Sequence, residues 1–305
     1  MILRHVGKEV TGRRDGRADC GAVANSWQNL KTNELMTTPF QIVVCGSIVP
    51  DPLQTLEPVT AAGGPALKNE MMLPAVLDPW AGHALFEAAH LAQQAAGSKV
   101  WLVAMAPKAK LQQVMMTVAQ KVPFELVALD GSASGFTDSF ATAAALAGVI
   151  ETIPGLDKSR LLLFGGWESA SRGSGSTIQM IGERLGITEQ FQGVDRIAVR
   201  EDGSFEVLER IEGGRHQVSV CAAPPAALGW ATGFLPEPRN NPQVGMANMK
   251  TIMPALMRAK PATATDPGLA YASVSLPKQQ RETRIEKNLT PEEIAREIAA
   301  WIRED

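Results

Sequence analysis

Between residues 41 and 185 short unbroken apolar runs alternate with longer stretches whose apolar residues recur at helical spacing. The runs at 41–45, 99–105, 124–129 and 161–164 are rich in Val, Leu, Ile and Phe, the pattern of parallel strands buried on both faces. Gly46 closes the first run, and Pro50-Asp-Pro52 forces extended or turn geometry that takes the chain away from the sheet. Residues 71–76 read as a short strand of a small hairpin. Asp78 is then a natural N-cap, with Pro79 at the first helical position; Leu85, Ala88, Ala89 and Ala92 give that helix its apolar face, and Gly97 stops it. Further helices are expected over 111–121, over the small residues 139–152, and over 177–185, where Ile178, Ile181 and Leu185 share a face. Strand and helix in alternation predict an α/β fold, an open, mostly parallel sheet with helices on both faces.

The style changes at residue 194. Apolar alternation at 194–200, 205–211 and 216–222, broken by Asp202-Gly203 and Gly213-Gly214, reads as a small antiparallel segment joined by glycine turns. Residues 224–242 read as irregular. The chain closes with Thr290-Pro-Glu-Glu293, a capping-box signature, before a helix whose Ile294, Ile298, Trp301 and Ile302 form one stripe. So apolar a stripe in a C-terminal helical arm calls for something to pack on.

Composition narrows the functional classes. A formal net charge of −3 and 20% charged residues indicate neither a nucleic-acid footprint nor a polybasic membrane face, and no apolar run reaches the length of a membrane span. Cys20, Cys45 and Cys221 are too scattered for a disulfide framework or a zinc site, which fits a reducing, cytoplasmic setting. His83 and His90 lie seven apart on one helix face, but no third ligand type stands at useful spacing, so no metal is expected. Residues 1–35 mix Arg and Lys with Asp and Glu and have no apolar core. That suits neither a transit nor a signal peptide, and they read as a loosely ordered extension, with Met36 a second candidate start.

The chemistry concentrates after the run at 161–164. Gly166-Trp-Glu-Ser-Ala-Ser-Arg172 continues through Gly173-Ser-Gly-Ser-Thr177 into a helix. Strand, small-residue loop and helix start together build an anion pocket: glycines let the backbone approach a phosphate, hydroxyls donate, and the helix N-terminus contributes oriented N–H groups. Gly173, Ser174, Gly175, Ser176 and Thr177 would line it, and Arg172 could add a charge. A flexible Gly/Ser linker is the competing reading.

In collinear order from about residue 40 to 260, these pieces resemble the beta subunit of electron-transfer flavoproteins. The resemblance is carried by Ile48-Val-Pro-Asp51, by the helix opening at Asp78-Pro-Trp80, by 166–179 with its Thr-x-Gln ending, and by Glu209–Gly214 followed by Pro236-Glu-Pro-Arg239. The chain departs from the family at Ser47, where many members have Lys. It departs again at 169–172, where acidic residues are usual, and at 240–250, which reads as an insertion. The resemblance implies a heterodimer. Its alpha subunit holds most of an FAD, and its beta subunit closes over that FAD, binds AMP structurally and offers a docking loop to a flavoprotein dehydrogenase. Electrons pass on towards a quinone reductase.

By the same resemblance the AMP pocket is lined by Cys45, Asp78, Pro79, Trp80, Ala81, Met105 and 166–177, including Gly166 and Arg172. Trp80 stands near the flavin, and Arg239 and Met253 belong to the docking loop near 236–260. Residues 36–260 form the nucleotide-binding domain, and 261–305 an arm packing on the partner subunit. Such a protein carries electrons rather than acting on a metabolite, so no catalytic residue, nucleic acid or direct membrane insertion is expected.

Two alternatives remain. One is a stand-alone adenine-nucleotide-binding regulator, which has no need of the exposed C-terminal stripe. The other is an electron-bifurcating relative with a second FAD in the loop, where Thr177, with a hydroxyl to close on one phosphate, favours AMP.

Overall fold

The computed structural model describes residues 39–62, 64–131, 135–171, 173, 175–262, 271–276, 278 and 285–304. The 1–35 extension, Arg172 and Ser174 therefore lie outside the described residues.

The first strand, β1 (Gln41–Pro50), is central. A hairpin follows, β2 (Pro58–Ala61) with β3 (Gly64–Leu67), then β4 (Ala75–Leu77) and helix α1 (Pro79–Gln94). The βαβ units continue with β5 (Lys99–Ala106), α2 (Lys108–Val118), β6 (Glu125–Asp130), α3 (Ser139–Ile150), β7 (Leu161–Gly166) and α4 (Thr177–Arg184). Then come β8 (Glu189–Val199), β9 (Phe205–Ile211), β10 (Arg215–Cys221) and β11 (Ala226–Trp230). Helix α5 (Pro242–Met257), the short β12 (Lys260–Pro261) and α6 (Pro291–Glu304) complete the chain.

The main sheet runs β10-β9-β8-β11-β7-β1-β5-β6-β12, parallel from β8 to β12 and antiparallel at β8/β9 and β9/β10. Alternate residues of β1 serve two cores. Ile42 and Val44 join α1, α2 and α5, whereas Val43 and Cys45 join α3 and α4. Helices thus cover both faces, as the strand–helix alternation requires.

Three expectations need correction. Gly46 does not end β1. The strand runs on to Pro50 because Ile48, Val49 and Pro50 pair antiparallel with Leu77, Val76 and Ala75 of β4. A Cβ at Gly46 would lie 2.8 Å from Leu102 and 2.9 Å from Leu77, so glycine is there for close packing. Of residues 71–76 only Ala75 and Val76 are strand, in β4 against β1; the hairpin is β2/β3, and 70–72 form a single 3-10 turn. Most consequential, 224–242 is irregular only in part, chiefly over 231–241. It contains β11, buried at every residue and inserted between β7 and β8.

Helix α5 likewise runs through the stretch read as an insertion and loop. Its Asn241 cap accepts from Gln243 and Val244, and the buried Asn248 rivets it to the α2–β6 turn. The Asn248 amide donates to the Ala119 and Val122 carbonyls at 2.7 and 2.8 Å, and its oxygen accepts from Phe124 N–H at 3.4 Å. The antiparallel annex is closed by another buried polar group. Asp195, 2% exposed, takes both Nε and an NH2 group of Arg210 at 3.0 and 2.8 Å and contacts His216 Nε2 at 2.9 Å. At the end of β9, Gly213 and Gly214 both adopt positive φ, as the expected glycine turn demands.

Candidate functional site

The order of the strands decides where a ligand can sit. From β1 the chain builds outward through β5 and β6, then α3 carries it back to β7 on the other side of β1. Between β1 and β7 the direction of winding therefore reverses, and the helices that follow these strands diverge to leave a crevice beyond the strand C-termini. A small cleft of about 50 Å³ opens at this point. Cys45, Gly46 and Ser47 from the latter half of β1 form one wall, and Gly165, Gly166, Glu168 and Ser169 from the end of β7 form the other. Asp78 and Ala81 of the α1 opening, Leu146 of α3, and Gly175, Thr177 and Ile178 at the α4 start close it.

Asp78 organises this edge. It is 1% exposed, and its Oδ1 caps α1 by accepting from Trp80 N–H at 3.1 Å. Its Oδ2 accepts from Ala170 N–H at 2.8 Å, tying the helix to the β7–α4 loop. Burial pushes its carboxyl up to about 6, although the backbone N–H groups of Ala170, Trp80 and Ala81 pull the other way.

The loop itself is tightly folded. Gly173 N–H donates to Ser169 O at 2.8 Å, and Gly173 and Gly175 take φ of +64° and +59°. A Cβ on Gly175 would lie 1.8 Å from the carbonyl oxygen of Trp167, and one on Gly166 only 2.6 Å from the Glu168 carbonyl and 2.7 Å from the Trp80 Cβ. Glycine is thus required at both positions for backbone to pack on backbone. Ser176 occupies the N-cap of α4, yet its hydroxyl caps nothing. The opening N–H groups of α4 are consequently left without that acceptor, beside the cleft, where an anion can supply one.

Among the residues expected at the site, the structure gathers Cys45, Asp78, Ala81, Gly166, Gly175 and Thr177 on the cleft wall. Pro79 is exposed at the α1 start, and the half-buried Trp80 packs against Gly166 without lining the cleft. Met105 is 3% exposed inside the α3–α4 core, and Gly173 and Ser176 do not line the cleft. Cys45 is no nucleophile: burial raises its thiol to about 12. Arg239 is exposed ahead of α5, and Met253, 38% exposed, sits on the helix itself, away from the cleft.

The sequence reading named Glu168 and Ser169 only as part of the stretch 166–177, and it missed Gly46, Ser47, Gly165, Leu146 and Ile178. The strand-end residues were findable, since neighbours of Cys45 and Gly166 on ending strands face the same crevice. Leu146 carries no local signal, because only the packing of α3 brings it there.

With this geometry in place, the comparison with known families is decisive. Residues 69–263 match the electron transfer flavoprotein domain. The chain belongs to this family. Its domain is found in both the alpha and the beta subunits of electron-transfer flavoproteins. The matched stretch begins before the Asp78 cap and ends just after β12, so it holds every wall of the cleft except the β1 residues. No curated protein sequence matches the chain significantly. Among the described residues no helix is long and apolar enough to cross a membrane.

Proposed function

We propose that this member of the family is the beta subunit of a heterodimeric electron-transfer flavoprotein, with AMP in the cleft as a structural nucleotide. The observation that carries the reading is the coincidence of the β1/β7 switch point with the glycine loop and the uncapped start of α4. That is an anion site at the place where open α/β sheets bind nucleotides. Gly175, Thr177 and the first N–H groups of α4 would hold a phosphate. Leu146, Ile178, Ala81 and Cys45 supply apolar wall for a base.

FAD, enclosed jointly with the alpha subunit, supplies the redox chemistry. This chain contributes positioning and local polarity around it, with Trp80 at the same sheet edge. Electrons arrive from a flavoprotein dehydrogenase, which docks at Arg239 and Met253, and leave towards a quinone reductase. The C-terminal arm favours a subunit over a stand-alone regulator. Ile294, Ile298, Trp301 and Ile302 are 44, 46, 59 and 74% exposed along one face of α6, a stripe with no partner surface in the described chain. Its capping box is fully formed, Thr290 N–H and hydroxyl both donating to Glu293, so the helix is built to present that face.

The test is the small-molecule content of the chain co-purified with an alpha subunit, denatured and read by mass spectrometry. One FAD and one AMP per heterodimer is the expected result. Two FAD would replace it with the bifurcating reading, and failure to form any flavin-containing complex would favour the regulator.

A further inference from the structure

Between β11 and α5, residues 231–241 form an irregular strap. Among the described residues no backbone-to-backbone hydrogen bond ties down 232–238. Ionisable side chains hold that stretch instead. Arg210 donates to Thr232 Oγ1 at 2.7 Å, and Lys121 pairs with Glu237 at 2.7 Å while donating to the Pro238 carbonyl at 3.2 Å. Between them, Glu87 of α1 accepts from the N–H groups of Phe234 and Leu235. The strap also covers this carboxyl. Glu87 is 9% exposed, and a Cβ on Gly233, whose φ is +63°, would lie 2.5 Å from its Oε1. Phe234 is 62% exposed, so solvent begins just beyond this single layer of chain.

A carboxyl placed there is pulled two ways. The two N–H groups and Arg196 of β8 favour its charged form; burial, the largest effect, and Asp195 of β8 favour its neutral form and raise it from 4.5 to about 7. Lifting the strap gives the carboxyl water and returns it to the ordinary range, so the covered state binds the proton more tightly than the lifted one. We propose that Glu87 is a proton-controlled latch on the strap, closed while its carboxyl is protonated and released as the proton leaves. Rising pH then favours lifting by about tenfold per unit between about 5 and about 7, and no further above that. Two histidines stand close by. Burial lowers His83, one turn earlier on α1, against the pull of Glu237; His216 contacts Asp195 at 2.9 Å, and its ring lies 6.2 Å from that of Phe234. The latch requires neither the nucleotide nor the alpha subunit.

The experiment is amide hydrogen exchange of the full chain from about pH 5 to about pH 8, read on peptides spanning 232–238 and expressed as protection relative to the intrinsic rate at each pH. Pro236 and Pro238 have no N–H, so Phe234 and Leu235 carry much of the signal. Wild-type protection is expected to fall about a hundredfold between about pH 5 and about pH 7 and then level off. Glu87→Gln, which cannot titrate, should give protection that does not change with pH. Gly233→Ala drives a Cβ against Oε1 with every ionisable group in place, and should give low protection throughout. A merely structural Glu87 would alter the level of protection in Glu87→Gln and leave its slope. A flat wild-type profile would overturn the latch, and so would a slope that survives Glu87→Gln, which would pass the sensing to His83 or His216. Carbon-13 titration of the wild-type Glu87 carboxyl provides the second measurement, and a midpoint at the ordinary 4.5 would overturn the proposal whether or not the variants fold.

Discussion

The Asp78 carboxylate accepts the backbone N–H of Ala170 at 2.8 Å across 92 residues of sequence. One side chain therefore starts α1, through Trp80 N–H, and fixes the loop that forms the far wall of the cleft. Asp78→Ala removes both bonds. Losing an N-cap costs about 0.5–2 kcal/mol, and the freed, poorly solvated Ala170 N–H adds a comparable amount. A lowered urea midpoint accompanied by weakened AMP binding is the expected result, and an unchanged nucleotide affinity would mean that the clamp does not shape the site.

The pH dependence follows from two buried acids. Burial raises the carboxyl of Asp78 to about 6 and that of Glu87 to about 7, against ordinary values of 3.8 and 4.5. In both cases hydrogen bonds from nearby backbone N–H groups oppose the effect. The folded protein consequently retains protons that the unfolded chain has released, and stability falls as pH rises from about 4 to about 7, then levels off. At about 1.4 kcal/mol per pKa unit, each group can account for about 3 kcal/mol of the decline. Urea unfolding at pH values across this window should show the fall, and Glu87→Gln should remove its upper part.

Gly173 and Gly175 look alike in sequence but should tolerate alanine differently. Both have positive φ, which costs an L-residue about 1–2 kcal/mol. At Gly173 a Cβ meets nothing within 4 Å, so that strain is the whole effect. At Gly175 it would strike the Trp167 carbonyl, and relief requires moving the loop. Gly175→Ala should abolish measurable AMP binding, while Gly173→Ala keeps it. Similar affinities for the two variants would show that the loop is softer than its packing implies.

Asn248 is the one polar residue on the buried face of α5. Asn248→Ala would strand the Ala119 and Val122 carbonyls and the Phe124 N–H, at a cost of about 2–4 kcal/mol in all. Hydrogen exchange should locate the loosening in α5 and the 119–124 turn rather than at the cleft.

Ile298→Asp probes the C-terminal stripe. Because Ile298 is 46% exposed, the stability of the isolated chain should change by no more than about 0.5 kcal/mol. Assembly with a co-expressed alpha subunit should be lost, and undiminished assembly would remove α6 from the interface.

Much of this was legible locally. The Asp78 cap, the capping box at Thr290, the glycine turn at 213–214 and the buried runs of β5 and β7 all follow from neighbours within a few residues. Strand β11 was not. Ala226-Ala-Leu-Gly-Trp230 is short, shows no alternation and is framed by prolines, so periodicity has nothing to grip. It is a strand because β7 and β8 flank it and satisfy its backbone on both sides. The helix over 242–257 was not read from the sequence for a related reason. It is secured by Asn248 reaching 119–124, more than a hundred residues away.

The sequence by itself determined the α/β class, the helix caps and the glycine loop, because apolar periodicity and turn chemistry are properties of neighbouring residues. Only the tertiary structure decided that β1 and β7 lie side by side at the reversal, that Asp78 holds Ala170, and that Leu146 joins the wall of the cleft. Those relationships depend on which strands pair across the sheet, and pairing is settled by burial of the whole core rather than by any one segment.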